Sequence, residues 1–82
     1  MSPKLKRMSG DDAIGVFRQL GFEEVGQKGS HVKLVRVTED GSRQVLTVPK
    51  HKLLDSGTLQ AIVRQASRFV DARLLKNHFY TP

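Results

Sequence analysis

His31-Val32-Lys33-Leu34-Val35-Arg36-Val37-Thr38, then Glu39-Asp40-Gly41-Ser42, then Arg43-Gln44-Val45-Leu46-Thr47-Val48 is the stretch that decides the fold. Two apolar-rich, β-branched runs flank a segment with turn chemistry, which predicts an antiparallel hairpin. Side chains alternate along a strand, so with Val32 and Leu34 toward a core, His31 and Lys33 point away from it. The alternation is imperfect, because Val35 and Val37 fall on the face opposite Val32 and Leu34. That predicts a bulge, or a run partly covered on both sides.

Outward from the hairpin the periodicity changes from two to 3.6. Toward the N-terminus, Ser9 followed by Asp12 is a capping-box-like start, with acids in the first turn where the helix dipole favours them. Ala13, Val16, Phe17 and Leu20 then follow i, i+3, i+4, i+7 spacing, with Ile14 widening the stripe, and Gly21 stops the helix. Phe22 to Val25 fits a short first strand ending at Gly26, and Gly26 and Gly29 bracket Gln27-Lys28 in a turn. Toward the C-terminus, Pro49 ends the third strand where a missing N–H costs little. Asp55 or Ser56 caps a second helix, along which Leu59, Ile62, Val63 and Ala66 repeat the spacing of the first. Phe69, Val70 and Leu74 continue it, so this helix either runs on through Leu75 or breaks near Ser67 into a short third one. The fold class that results is α+β, in the order α-β-β-β-α. A three-stranded antiparallel sheet carries two helices on one face and leaves the other open. Residues 9–76 form one domain, between a basic N-terminal tail, 1–8, and a C-terminal tail, 77–82, in which Phe79-Tyr80 either packs back or lies free.

Composition narrows the function. A chain of 82 residues supports one small core and no deep enclosed pocket. It has no cysteine, which excludes disulfides and thiolate metal sites and suits a reducing cytosol, so a cytoplasmic location is expected. The basic start leads into Ser9-Gly10-Asp11-Asp12 and not into an apolar signal core, and no run is long enough to span a membrane. The formal net charge of +6 calls for an anionic partner, for which nucleic acid is the common choice. Between Lys28 and Lys52 the cations Lys28, Lys33, Arg36, Arg43, Lys50 and Lys52 meet only Glu39 and Asp40, so this stretch is the expected positive face.

Phosphodiester cleavage in RNA needs a group to take the 2′-hydroxyl proton, a group to protonate the leaving oxygen, and positive charge for the anionic transition state. An imidazole, with an ordinary pKa of about 6.5, performs either proton transfer near neutrality. His31 is the candidate, with Lys33 on the same strand face and Lys28 in the preceding turn to supply charge. A lone histidine at a strand start also serves simply as a hydrogen-bond donor, and that alternative stays open. His51, beyond Pro49, fits a turn-fixing role better than a catalytic one, and His78 has no motif around it. The three histidines offer no recognised ligand spacing, so neither a metal nor another cofactor is expected. Ser56-Gly57-Thr58 reads equally as an ordinary cap or as a phosphate contact at a helix N-terminus, near Lys50 and Lys52. Arg64 and Arg68 read as a solvated face, with Asp71 placed to pair with Arg68.

Gly21-Phe22 after the first helix, Lys28-Gly29-Ser30-His31 at the second strand, Val48-Pro49-Lys50-His51 at a strand end and Gly57-Thr58-Leu59 at a helix start occur here in the order and spacing of HicA, the toxin of bacterial HicA/HicB pairs. The chain resembles that family from Ser9 to Ala66. The resemblance implies a double-stranded-RNA-binding-domain-like fold and a ribosome-independent, metal-independent mRNA endoribonuclease leaving a 2′,3′-cyclic phosphate. It aligns His31 with the family's catalytic histidine; around it, RNA contacts are expected from Lys28, Gly29, Ser30, Lys33, Lys50 and Lys52. It also implies two partners, mRNA and a HicB-like antitoxin that covers the site. Where many relatives carry a second histidine after the first, this chain has Val32. The alternative is a non-catalytic RNA-binding module of the same fold. Leu53-Leu54-Asp55-Ser56-Gly57 lacks the lysine cluster such modules carry at the start of their second helix, and the low aromatic content argues against base stacking. A degenerate toxin that only binds its antitoxin is a third reading.

Overall fold

The computed structural model describes residues 3–82, so Met1 and Ser2, the start of the expected basic tail, lie outside the described residues. Helix α1 spans Gly10–Gln19 and opens with the expected capping box: the Ser9 hydroxyl accepts from the Asp12 N–H at 3.0 Å, and the Asp12 carboxylate accepts from the Ser9 N–H at 3.1 Å. Strands β1 (Glu23–Lys28), β2 (His31–Val37) and β3 (Arg43–Pro49) follow, then α2 (Ser56–Ala66) and α3 (Ala72–Phe79). The sheet is antiparallel in the order β1-β2-β3. This is the expected α-β-β-β-α arrangement with a further helix.

Two details differ from expectation, and a third settles an alternative that the sequence leaves open. The bulge lies in β1, where the register shifts between Glu24 and Gly26, and not in β2. Gln27 and Lys28 belong to β1, so the turn is the two-residue Gly29-Ser30, closed by the pair Lys28 and His31. Gly29 holds φ +59° at the first central position, the conformation a primed turn demands there. Lastly, the helical run breaks after Ala66. Ser67 caps α2, and Asp71 caps α3 by accepting from the Arg73 N–H at 2.7 Å, so Asp71 serves a helix N-terminus and forms no ion pair with Arg68. The break rotates the apolar stripe: Leu75 and Phe79 face the core, while Leu74 is exposed.

The core lies between one sheet face and the helices. Phe17, Phe22, Val32, Leu34, Leu46, Val48, Leu59 and Phe79 are fully buried within it. Phe17 meets Phe22 edge-on at 5.9 Å and Phe79 at 5.4 Å between ring centroids. The two segments read as tails meet each other. Leu5 bridges Tyr80, and the Lys6 N–H donates to the Phe79 carbonyl at 2.8 Å. Burial of Met8 and Phe79 drives that pairing, and it seats both ends of the chain on the body. Among the described residues no helix is long and apolar enough to cross a membrane.

Candidate nucleic-acid interface

The open sheet face is built by the β2 alternation. Val32 and Leu34 are buried under the helices, whereas His31 and Lys33 are exposed on the opposite side, as expected. The central strand presents His31 between two edge strands. Lys28 of β1 and Pro49 of β3 are its direct cross-strand partners, and such partners hold their Cβ atoms about 5 Å apart. Lys33 lies two residues along, between Gly26 and Thr47. Gly26 brings no side chain, so the face beside Lys33 is flat and accessible. Thr47 shares this face by register, a neighbour that its local sequence does not announce.

The hairpin that carries His31 is braced on both flanks. The Gln27 side-chain amide donates to the Gly29 carbonyl at 2.9 Å, and the Ser30 carbonyl accepts from the Lys50 N–H at 2.6 Å. Gly10 is needed for the same end of the sheet. A Cβ there would stand 2.1 Å from the Pro49 carbonyl oxygen, so only glycine lets α1 begin against the exit of β3. α1 begins beside Pro49-Lys50-His51, and α2 opens at Ser56, five residues after His51. Each start carries its own acids, Asp11 and Asp12 on α1 and the Asp55 cap on α2, so positive charge at this end comes from the lysine side chains.

Not every residue of the expected positive face belongs to it. Arg36 is turned to the core side and half-buried; it donates to the Leu20 carbonyl, the Phe69 carbonyl and the Gln44 side chain at 2.8–2.9 Å and stacks over Phe22. Its role is to hold elements together. Arg43 is exposed at the far end of the open face, beside Val25, Val37 and Val45. Lys50 stands 3.8 Å from Asp11 in an exposed ion pair, while Lys52 is exposed without one among the described residues. Ser56-Gly57-Thr58 resolves as a cap: Asp55 accepts from the Thr58 N–H at 2.7 Å and from its hydroxyl at 3.0 Å. Those bonds, first the backbone one, hold the Asp55 carboxyl below its ordinary pKa, with a small added effect of nearby His51. The His51 side chain is exposed, its backbone carbonyl accepts from the Gly10 N–H at 2.8 Å, and His78 lies in the last turn of α3. No group of three potential metal ligands exists among the described residues.

An exposed imidazole flanked by two lysines, on a flat face at the cationic end of the sheet, can exchange protons with a bound anion and stabilise added negative charge on it. Comparison with curated proteins returns no match. A family model described as the HicA toxin of bacterial toxin–antitoxin matches residues 10–67, a span that runs from the first residue of α1 to the cap of α2 and contains the whole sheet. Matched over well more than half of its length, the chain belongs to the HicA toxin family of bacterial toxin–antitoxin systems.

Proposed function

We propose that this toxin is a metal-independent endoribonuclease that cleaves mRNA with His31 as its proton-transfer group. The observation that carries the reading is the placement of His31 on the exposed face of the central strand, with Lys28 directly across and Lys33 one step along. The RNA 2′-oxygen attacks the adjacent phosphorus and its proton leaves to a base. The bond from phosphorus to the 5′-oxygen breaks, and that oxygen takes up a proton. The products are a 2′,3′-cyclic phosphate and a 5′-hydroxyl. His31 makes one of the two transfers, and solvent reaches the exposed ring to carry the other. Lys28 and Lys33 stabilise the charge that builds on the phosphoryl oxygens, and the Gly29-Ser30 turn, Lys50 and Lys52 position the strand.

The antitoxin partner implied by the family is HicB-like and covers the open face, its acidic groups set against these cations. The setting is the cytoplasm. An RNA-binding module without catalysis is disfavoured at the start of α2, where the cap is an aspartate and no lysine cluster follows it.

Purified wild type and His31→Ala are compared on an end-labelled RNA in chelator, with binding measured in parallel at stated salt. Cleavage by wild type alone, with binding retained by the variant, is expected. The loss should reach about 10²–10⁴-fold, the usual contribution of a positioned acid or base. Binding by both proteins with cleavage by neither, in a folded and antitoxin-free sample, would leave a binding module.

A further inference from the structure

The family match begins at residue 10, yet the segment before it is firmly seated. Met8 is buried, its carbonyl accepts from the Leu54 N–H at 2.8 Å, and the Gly10 N–H donates to the His51 carbonyl at 2.8 Å. On the other side the Lys6 N–H bonds the Phe79 carbonyl. The backbone of Lys6 and Arg7 is thus fixed from both directions, while both side chains are exposed. They line a cleft of about 340 Å³ formed by residues 5–7 and 53–56, with Lys52 next to it in sequence.

Backbone hydrogen bonds link this cleft to the end of the sheet that carries His31. Lys50 bonds Ser30 in the hairpin, His51 bonds Gly10, and Leu54 bonds Met8, a run of backbone hydrogen bonds from one site to the other. From Pro49, the cross-strand partner of His31, the chain to Leu54 spans at most about 17 Å. Lys6, Arg7 and Lys52 make no ion pair among the described residues. The one acid of the lining, Asp55, is held ionised by Thr58, so the lining sets two cations against one anion and Lys52 adds a third cation beside it. Exposed cations without ion pairs, carried on a backbone held at both sides, suit a strand of regularly spaced phosphates better than a single small anion.

We infer that Lys6 and Arg7, together with Lys52, form a second phosphate-binding subsite that holds the backbone of the same RNA strand to one side of the bond at His31. The inference rests on the ribonuclease reading above and adds Lys6 and Arg7, which lie outside the family match.

The test compares wild type, Lys6→Gln/Arg7→Gln and, as an equal change of net charge on α3, Arg73→Gln/Lys76→Gln. Binding of a fluorescein-labelled single-stranded RNA is followed over a salt series, and cleavage is followed on that RNA and on a dinucleotide. For the first variant the slope of log affinity against log salt should fall by about 1.4, two contacts at about 0.7 each on a single strand. Its KM for the long RNA should rise while its dinucleotide cleavage stays at the wild-type level, and the α3 variant should keep the wild-type slope. An unchanged slope in the first variant, or an equal fall in both, would overturn the subsite and leave the His31 assignment standing. An unchanged RNA slope with weakened antitoxin binding would give the cleft to the protein partner instead. Wild type that neither binds nor cleaves any RNA would overturn the ribonuclease reading, and the subsite with it.

Discussion

At the residue scale Asp40, in the turn between β2 and β3, is the carboxylate most strongly shifted by its hydrogen bonds. Its carboxylate accepts from the Thr38 hydroxyl and from the Ser42 N–H at 3.0 Å. These bonds favour the ionised form, Thr38 foremost, and lower its pKa from the ordinary 3.8 to about 2. A carboxylate with a depressed folded pKa supports the native turn at all pH above its ordinary value and loses that support as pH falls from 3.8 toward about 2. An NMR titration of the Asp40 side-chain carbon should therefore show a midpoint near 2, and in Thr38→Val the midpoint should move up toward 3.8. A wild-type midpoint already at the ordinary value would refute the bonding pattern. The turn itself was legible, since Glu39-Asp40-Gly41-Ser42 carries turn chemistry between two strand-like runs. Arg36 was not, because nothing in Val35-Arg36-Val37 separates a surface cation from one that reaches inward.

At the element scale that same Arg36 ties the sheet to the end of α1 and to the segment between α2 and α3, while also bonding its own cross-strand partner, Gln44. Its guanidinium accommodates the carbonyl at the end of α1, the Phe69 carbonyl between α2 and α3, and the Gln44 side chain on β3. Carbonyls at helix ends have no partner within the helix, so a planar donor with several N–H groups satisfies them at once. Arg36→Ala should cost about 2–3 kcal/mol, because charged hydrogen bonds of this kind are worth more than neutral ones. Arg36→Lys should recover little of it, since one ammonium cannot span three acceptors in a plane. Urea unfolding at constant m-value measures both, and a loss under half a kilocalorie in Arg36→Ala would show the latch to be dispensable. The two outer strands also differ. The Thr47 N–H of β3 is bonded by the Gln65 side chain at 3.0 Å and Pro49 offers no N–H, whereas every residue of β1 is exposed and its bulge is what interrupts that edge.

At the scale of the whole molecule the ends of the chain complete the core. Phe79 is fully buried against Phe17, and residues 4–6 pair with residues 79–81. Phe79→Ala should cost about 3–5 kcal/mol, the range for deleting a buried ring and leaving a cavity. Chemical denaturation would register it, and a cost below about 1 kcal/mol would mean that this end does not contribute to the cooperative unit. The sequence by itself determined α1 with its capping box, the β2–β3 hairpin, the start of α2, and the face on which His31 and Lys33 lie. Each of these rests on periodicity, caps and turn residues, which act over a few neighbouring positions. Tertiary structure alone decided that the helix breaks at Ser67, that the bulge belongs to β1, that Arg36 turns inward, and that the ends meet so that Lys6 and Arg7 line a cleft with residues 53–56. Those outcomes depend on which distant groups pack and hydrogen-bond together, and such partners leave no local pattern to read.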